Sequence, residues 1–452
     1  MIVLPIIFCT AFFAALLALY QKQERGVFIF LIFALPIYSI SLSVCFQFGL
    51  IKLIPAIQTF KEIVIISYLA FAISKLKSNS KWTIIDKLIL AFLGVNTFYA
   101  FIPFGSYSLF ERLVALKSLS FFPLVYFTGR TINKNAIKLN QIFTFIGILT
   151  FVISGVLLIE FITYTHIQTI SGYASFNEHF FDQQTSGNYG LSWTFEIENG
   201  SKRFASLFST PLELGAASLI SLAASLALIT NFDNKIITSK FTNTMLIAST
   251  ICVLLALSRA SFAGFCIMIY LYAWLTQKKI FLHIIHTLIA LTALAFLIIT
   301  FNNDFTEFVI TTIDFTNPSS LGHLLEWING IESIISYPLG IGLGNAGRIS
   351  GFSGYNVGGE NQFIIIGVQT GIVAVLLYVT IYCIIIKKAY QLFCSQTGRI
   401  RRLALFILLI KVGLIIPLLT SETESYIYIS YLTWILTGLL VNISSQIKIS
   451  AK

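Results

Sequence analysis

About thirteen apolar runs, most of them long enough to cross a hydrocarbon layer roughly 30 Å thick, make up the greater part of this 452-residue chain. They lie near 2–20, 27–47, 62–76, 87–104, 115–129, 142–163, 210–230, 243–258, 261–276, 280–301, 363–386, 403–420 and 425–443. In lipid every backbone N–H and C=O needs an internal partner, so runs of this length are helices. Composition agrees: 57% of the residues are hydrophobic and 11% are charged, against about 25% charged in a soluble domain. So few charges cannot cover a water-facing surface. The expected class is an all-α polytopic membrane protein with about 12–13 transmembrane helices. The runs at 62–76 and 115–129 are short, which leaves the count open by one.

The formal charge of +10 would suggest nucleic acid if the basic residues shared one solvated face. They fall instead between the apolar runs. Twenty of the 29 Lys and Arg residues sit in alternate connections: Lys22 and Arg25; Lys75, Lys77, Lys81 and Lys87; Arg130, Lys134 and Lys138; Lys235 and Lys240; Lys278 and Lys279; Lys387 to Arg402; and Lys448 and Lys452. Basic loops stay in the cytoplasm, so the N-terminus is expected outside and the C-terminal tail inside. The first run has no basic segment before it and reads as a first spanning helix, not a cleaved signal. The six cysteines show no C-x-x-C spacing and read as packing residues. No tandem repeat and no inverted pair of Gly/Pro-broken helices of the transporter kind is visible.

This topology divides the chain into N-terminal helices (1–163), a first long outer loop (164–209), central helices (210–301), a second long outer loop (302–362), and C-terminal helices with a tail (363–452). Loops of such length are usually functional. In the second, Asn317-Pro318 followed by Leu321, Leu324, Leu325, Ile328, Ile331 and Ile335 reads as an amphipathic helix on the membrane surface that ends at Pro338 and carries His323 and Glu326 on its other face. Gly342, Gly344 and Gly347, just before Arg348, match G-x-G-x-x-G, but without the strand and βαβ unit that a dinucleotide fold requires. Such a turn either forms a simple chain reversal or offers backbone N–H groups to an anion. Glu360 sits where a helix meets the membrane, a costly position for an unpaired carboxylate. Arg203 and Arg259 lie at outer helix ends, where they serve no topological purpose; each suits either a lipid headgroup or the bidentate recognition of a diphosphate.

The Ser258-Arg-Ala-Ser261 turn, Arg203 with Pro211 after it, the surface helix ending in Pro-Leu-Gly-Ile-Gly-Leu-Gly, and Glu360-Asn-Gln-Phe followed by Gly-Val-Gln-Thr-Gly-Ile together resemble the O-antigen ligase and O-antigen polymerase superfamily over about residues 200–385. The resemblance implies a metal-independent, inverting glycosyltransferase of the bacterial inner membrane that uses no cofactor. It would take glycan from an undecaprenyl-diphosphate donor and pass it, on the periplasmic face, to lipid A-core or to another lipid-linked repeat. Arg203 and Arg259 would then bind the donor diphosphate, with Arg348 and Asn361 as further substrate-binding candidates. Two departures stand out. His323 occupies a position where family members often carry Arg, four residues before Trp327, and Glu360-Asn361 stands where ligases often have His-Asn. Glu360 is therefore the candidate base toward the acceptor hydroxyl, on the expectation that partial burial raises its pKa, with His323 beside it.

The other titratable residues read more plainly. His283 and His286 are taken as structural or interfacial. Lys411, in mid-helix, should face the bundle and pair with a residue such as Glu213 or Glu160. Asp304, Glu307 and Asp314 show no D-x-D spacing, which disfavours a Mg²⁺-dependent transferase. Arg112 and Lys117 stand at an outer helix end and suit headgroup contact or an extended phosphate site. The competing function is a lipid-linked oligosaccharide flippase or other transporter. That reading would need charge through the bilayer centre, whereas the informative charges gather on one side.

Overall fold

The computed structural model describes the chain except for 74–81, 103, 105–106, 134–137, 198–199, 231–236, most of 278–317, 348–356 and 446–452. Among the described residues nine helices are long and apolar enough to cross a membrane. They are α1 (Val3–Tyr20), α2 (Arg25–Gln47), α3 (Ile51–Ala72), α4 (Ile84–Phe101), α7 (Leu139–Thr163), α9 (Pro211–Ile229), α13 (Gln362–Ser395), α14 (Gly398–Thr420) and α15 (Ile427–Ser445). The shorter helices are α5 (Leu109–Ser120), α6 (Phe122–Thr131), α8 (Tyr173–Phe181), α10 (Lys240–Leu255), α11 (Arg259–Leu275) and the surface helix α12 (Pro318–Ser336). The chain is an all-α polytopic membrane protein.

Two runs differ from their expected bounds. The run expected at 62–76 belongs to a span that begins at Ile51 and passes straight through Lys61 and Glu62. The apolar count stopped at these charges, but both side chains are buried and bonded, which removes the penalty that hydropathy assigns them. The run expected at 115–129 is two helices that meet at Phe121, with Pro123 in the first turn of the second, where its missing N–H breaks no helical bond. Residues 280–301 lie largely outside the described set; His283 and His286 within it are exposed, and His286 lies 5.9 Å from the ring of Tyr270.

Close backbone approach holds the centre together. A Cβ on Gly129 of α6 would fall 2.0 Å from Ile435 O of α15, and one on Gly438 would fall 2.1 Å from Tyr126 O, so two glycines bring these helices into direct backbone contact. Without water to drive association, such small-residue contacts are a main source of helix adhesion in lipid. The helix pair carries the core aromatics Tyr126 and Trp434, both fully buried.

At the basic end of the bundle, Arg130 grips Asp86 with two parallel bonds of 2.7 and 2.9 Å, and Arg402 donates to Thr230 O. The opposite end is built from the two long loops. The first, expected over 164–209, is ordered for most of its length: α8 and the short helices at Ile167–Ile170 and Trp193–Phe195 fold back over the helix ends.

Candidate functional site

Beneath that loop lies a cavity of about 790 Å³. Its walls come from α2 (Tyr38), α3 (Lys61, Glu62), α5 (Lys117), the loop 181–194, the start of α9 (Glu213), the turn residues Gly347, Gly359 and Glu360, and the segment Glu422 to Tyr431.

Glu360 reaches the cavity because of how the second loop returns to the bundle. Gly358 and Gly359 have φ of 90° and 62°, conformations that L side chains avoid, and they let α12 approach closely. A Cβ on Gly330 of α12 would meet Gly358 Cα at 2.7 Å, and one on Gly359 would fall 2.0 Å from Glu326 Oε2. The approach sets His323 and Glu326 beside Glu360. Glu326 Oε2 stands 3.8 Å from His323 Nδ1. Its carboxylate is the largest influence holding the imidazole above its ordinary pKa, Glu360 adds to it, and burial and the Arg259 guanidinium oppose it. His323, Glu326, Glu360 and Arg259 thus form one electrostatic group. Glu360 itself is exposed at the cavity wall and lacks the partial burial expected of it.

Asn361 is 4% exposed and works as a helix cap: its Oδ1 accepts from Phe363 N at 3.0 Å and from Ile364 N at 3.3 Å. This bonding starts α13 and uses the side-chain oxygen alone. Arg348 falls outside the described residues, as do Asp304, Glu307 and Asp314.

The glycine-rich turn is a clasp. Ile341 N donates to Val368 O at 2.8 Å, Gly342 N to Gln369 O at 3.1 Å and Gly344 N to Gln369 Oε1 at 2.9 Å, while Gln369 Nε2 reaches Ala346 O. Of the two readings the sequence left open, the structure supports the chain reversal: these N–H groups are committed to α13 and do not point at an anion. The clasp sits where α13 breaks, at Gly371 with φ 80° and ψ 176°.

Arg259 opens α11 and is exposed. Ser258 caps the helix through Ser261 N, and Gly215 of α9 leaves room for this turn, since a Cβ there would lie 2.7 Å from Ser261 Oγ. Arg203 is half-buried in the segment leading to α9, and its backbone N–H donates to Phe195 O at 2.8 Å. Neither arginine is among the residues lining the cavity. Arg112 is buried and donates to Ile102 O at 2.6 Å, which leaves Lys117 as the member of that pair facing the cavity.

Several cavity residues escaped the sequence reading. Glu424 accepts from Trp434 Nε1 at 2.9 Å, from Tyr378 OH at 2.6 Å and from Ser430 Oγ at 2.7 Å, and its N–H donates to Gln362 Oε1, tying α15 to α13 at the residue two places after Glu360. Glu422 stands against Gly347. Lys61 and Glu62 carried a signal, two adjacent charges inside an apolar run; Glu422 and Glu424 carried little, because a short polar turn between helices is the commonest place for a glutamate. Lys411 does not stand against Glu213 or Glu160 as expected. Glu160 accepts from Ile167 N and Ser206 N, Glu213 accepts from Ser209, and Lys411 lies over the Trp434 and Tyr382 rings.

Residues 244–379 match the family described as O-antigen ligase. Over these residues the chain is similar to that family, which supports the O-antigen ligase and polymerase resemblance. The family region runs from α10 into α13, so it holds Arg259, His323, Glu360 and the glycine clasp, while Arg203, Lys61, Glu62, Glu422 and Glu424 lie outside it. No curated protein matches the chain. Among the described residues no group of three or more His, Cys, Asp or Glu side chains is arranged to hold a metal ion.

Proposed function

We propose that the chain is a membrane glycosyltransferase that moves glycan from an undecaprenyl-diphosphate donor to a saccharide acceptor at the periplasmic face, during synthesis of a cell-surface polysaccharide. The observation that carries this reading is the joining of Arg259, His323 and Glu360 into one charged group at the edge of a glutamate-lined cavity. Transfer from a lipid diphosphate needs positive charge where the leaving diphosphate develops, and a proton acceptor near the attacking hydroxyl. Arg259 supplies the first, with Arg203 as a second contact, and Glu360 supplies the second. Glu326 keeps His323 toward its cationic form, which suits it to the leaving group and stands in for the arginine often found there.

In this reading the donor approaches sideways from the outer leaflet. The exposed apolar stripe of α12 (Leu321, Leu325, Ile328, Ile331 and Ile335) suits a helix lying in the interface beside that route. The inverting, metal-independent course is part of the same proposal. The test is transfer by purified protein given a defined undecaprenyl-diphosphate oligosaccharide. Ladders formed without lipid A-core mean polymerase, product only with lipid A-core means ligase, and no product with either acceptor sinks the reading.

A further inference from the structure

Helices α3 and α5 both start at the loop end of the bundle, and each gives one wall of the cavity. α3 packs along α1 and α6 but scarcely touches α5. What spans the seam between them is an ion pair, with Lys117 Nζ of α5 at 3.3 Å from Glu62 Oε1 of α3. The two lysines on Glu62 are unequal. Lys61 is buried, and its three N–H groups are matched by Tyr38 OH at 3.0 Å, Gln58 O at 2.6 Å and the Glu62 carboxylate at 3.0 Å. The Lys117 side chain is 51% exposed, and an ion pair so open to its surroundings holds weakly. When Lys117 turns away, Glu62 keeps Lys61, so no buried carboxylate is stranded.

Apolar side chains flank this pair. Phe110 and Leu113 share a helical stripe with Lys117 and are 75% and 39% exposed, and Ile66, one turn after Glu62, is 51% exposed. In a membrane protein such a face meets lipid, where a half-exposed ammonium is costly without an anion beside it. On the adjoining face of α5, Val114, Ser118 and Phe121 line the cavity. Lys117 therefore stands at the border between lipid and cavity. The helix that carries it also has a joint. α5 ends at Phe121, and Pro123 has no N–H to donate back to Leu119 O, so helical bonding is already interrupted there. At its other end α5 meets the glycine clasp, since a Cβ on Gly344 would stand 3.3 Å from the Tyr107 ring.

We propose that the seam between α3 and α5 is the entrance by which a lipid diphosphate slides from the membrane into the cavity, with Lys117 as its latch. In the closed form Lys117 holds α5 to Glu62. The arriving headgroup takes the ammonium from Glu62, because a diphosphate offers it more charge than a carboxylate already shared with Lys61. α5 then swings outward about Phe121, and the isoprenyl tail stays among Phe110, Leu113 and Ile66. The proposal deepens the transferase reading and rests on it for the identity of the lipid. Both helices of the entrance lie outside the family region.

The experiment ties the seam shut. Gln58 and Val114 line the cavity about one turn before Glu62 and Lys117, so Gln58→Cys with Val114→Cys faces two thiols across the same gap. The full-length protein, with its exposed native cysteines Cys266, Cys383 and Cys394 replaced by serine, is bridged by a short bis-methanethiosulfonate that reductant removes. Uptake of undecaprenyl diphosphate from vesicles into protein held in nanodiscs is followed by native mass spectrometry. Bridged protein should take up the lipid at least about tenfold more slowly, and reductant should restore the rate. Lys117→Met should release bound lipid about tenfold faster, with Lys117→Arg close to wild type. Where Lys117→Met melts below the wild type, the bridged and reduced forms of one protein decide. Equal uptake in both forms overturns the proposal, as does no uptake in either. Phosphatidylglycerol displacing the diphosphate at equal concentration makes Lys117 a general headgroup contact and overturns it too. Uptake through the seam without glycan transfer counts against the transferase reading and leaves the entrance standing; full transfer by the bridged protein does the reverse.

Discussion

The ammonium of Lys411 lies 3.7 Å from the centre of the Trp434 ring, and the Nε1–H on that ring's edge donates to Glu424 at 2.9 Å. One indole thus stands between a buried cation and a carboxylate of the cavity wall. The face of the ring offers negative potential to Lys411 while its N–H satisfies Glu424, so a single side chain serves two charges that would otherwise be expensive this far from water.

That relay makes the two ends unequal. Glu424→Gln leaves Lys411 without its counter-charge and disturbs the hydrogen bonds from Trp434, Tyr378 and Ser430, at a cost of about 3 kcal/mol. Lys411→Met removes the buried ammonium itself while keeping the side-chain length, and should cost less than half of that. Thermal unfolding in one detergent compares the variants. A Lys411→Met loss equal to or greater than that of Glu424→Gln would show that the lysine does more than balance the glutamate.

His166 is 1% exposed among Tyr189, Phe195 and Phe204, and burial first, then Lys202, lowers its pKa to about 4. Unfolded, it takes up a proton near pH 6.5; folded, it resists until about pH 4. Its contribution to stability is therefore intact above about pH 6.5 and lost progressively as pH falls toward 4, to a total of about 3 kcal/mol. His166→Phe should flatten that part of the pH–stability curve. An unchanged slope between pH 6.5 and 4 in the variant assigns the effect elsewhere.

Gly342 has φ of 106°, and a Cβ there would fall 2.4 Å from Phe104 O. Gly342→Ala should loosen the clasp on α13 at a cost of about 2 kcal/mol and lower transfer by displacing Glu360 further along the same loop. Unfolding scans and transfer rates should change together. A variant with wild-type melting and wild-type rate would deny the clasp any part in holding the site.

At the charged edge, Arg259→Ala should reduce transfer about 10²-fold, and Arg259→Lys should recover only part of it, because an ammonium cannot make the paired contacts of a guanidinium. Glu360→Gln should reduce transfer by about 10²- to 10⁴-fold and leave donor binding in place. Full turnover in either variant, at equal protein levels, removes that residue from the proposed chemistry.

Much of this could be read along the chain. Runs of hydrophobic residues dictate spanning helices because lipid tolerates no unpaired backbone, and the basic connections orient them because they follow every second run. The surface helix was legible from its period, and its bounds of Pro318–Ser336 follow from a proline at each side. Hydropathy cannot say which helices touch. That depends on side-chain shape and on glycines that admit a neighbouring backbone, as Gly129 and Gly438 do between α6 and α15. For the same reason the sequence exposed Arg259, His323 and Glu360 as unusual but left Glu62, nearly 300 residues before Glu360, looking like a flaw in an apolar run. Only the tertiary structure made it a wall of the same cavity, because lateral packing alone brings distant spans together around a buried charge.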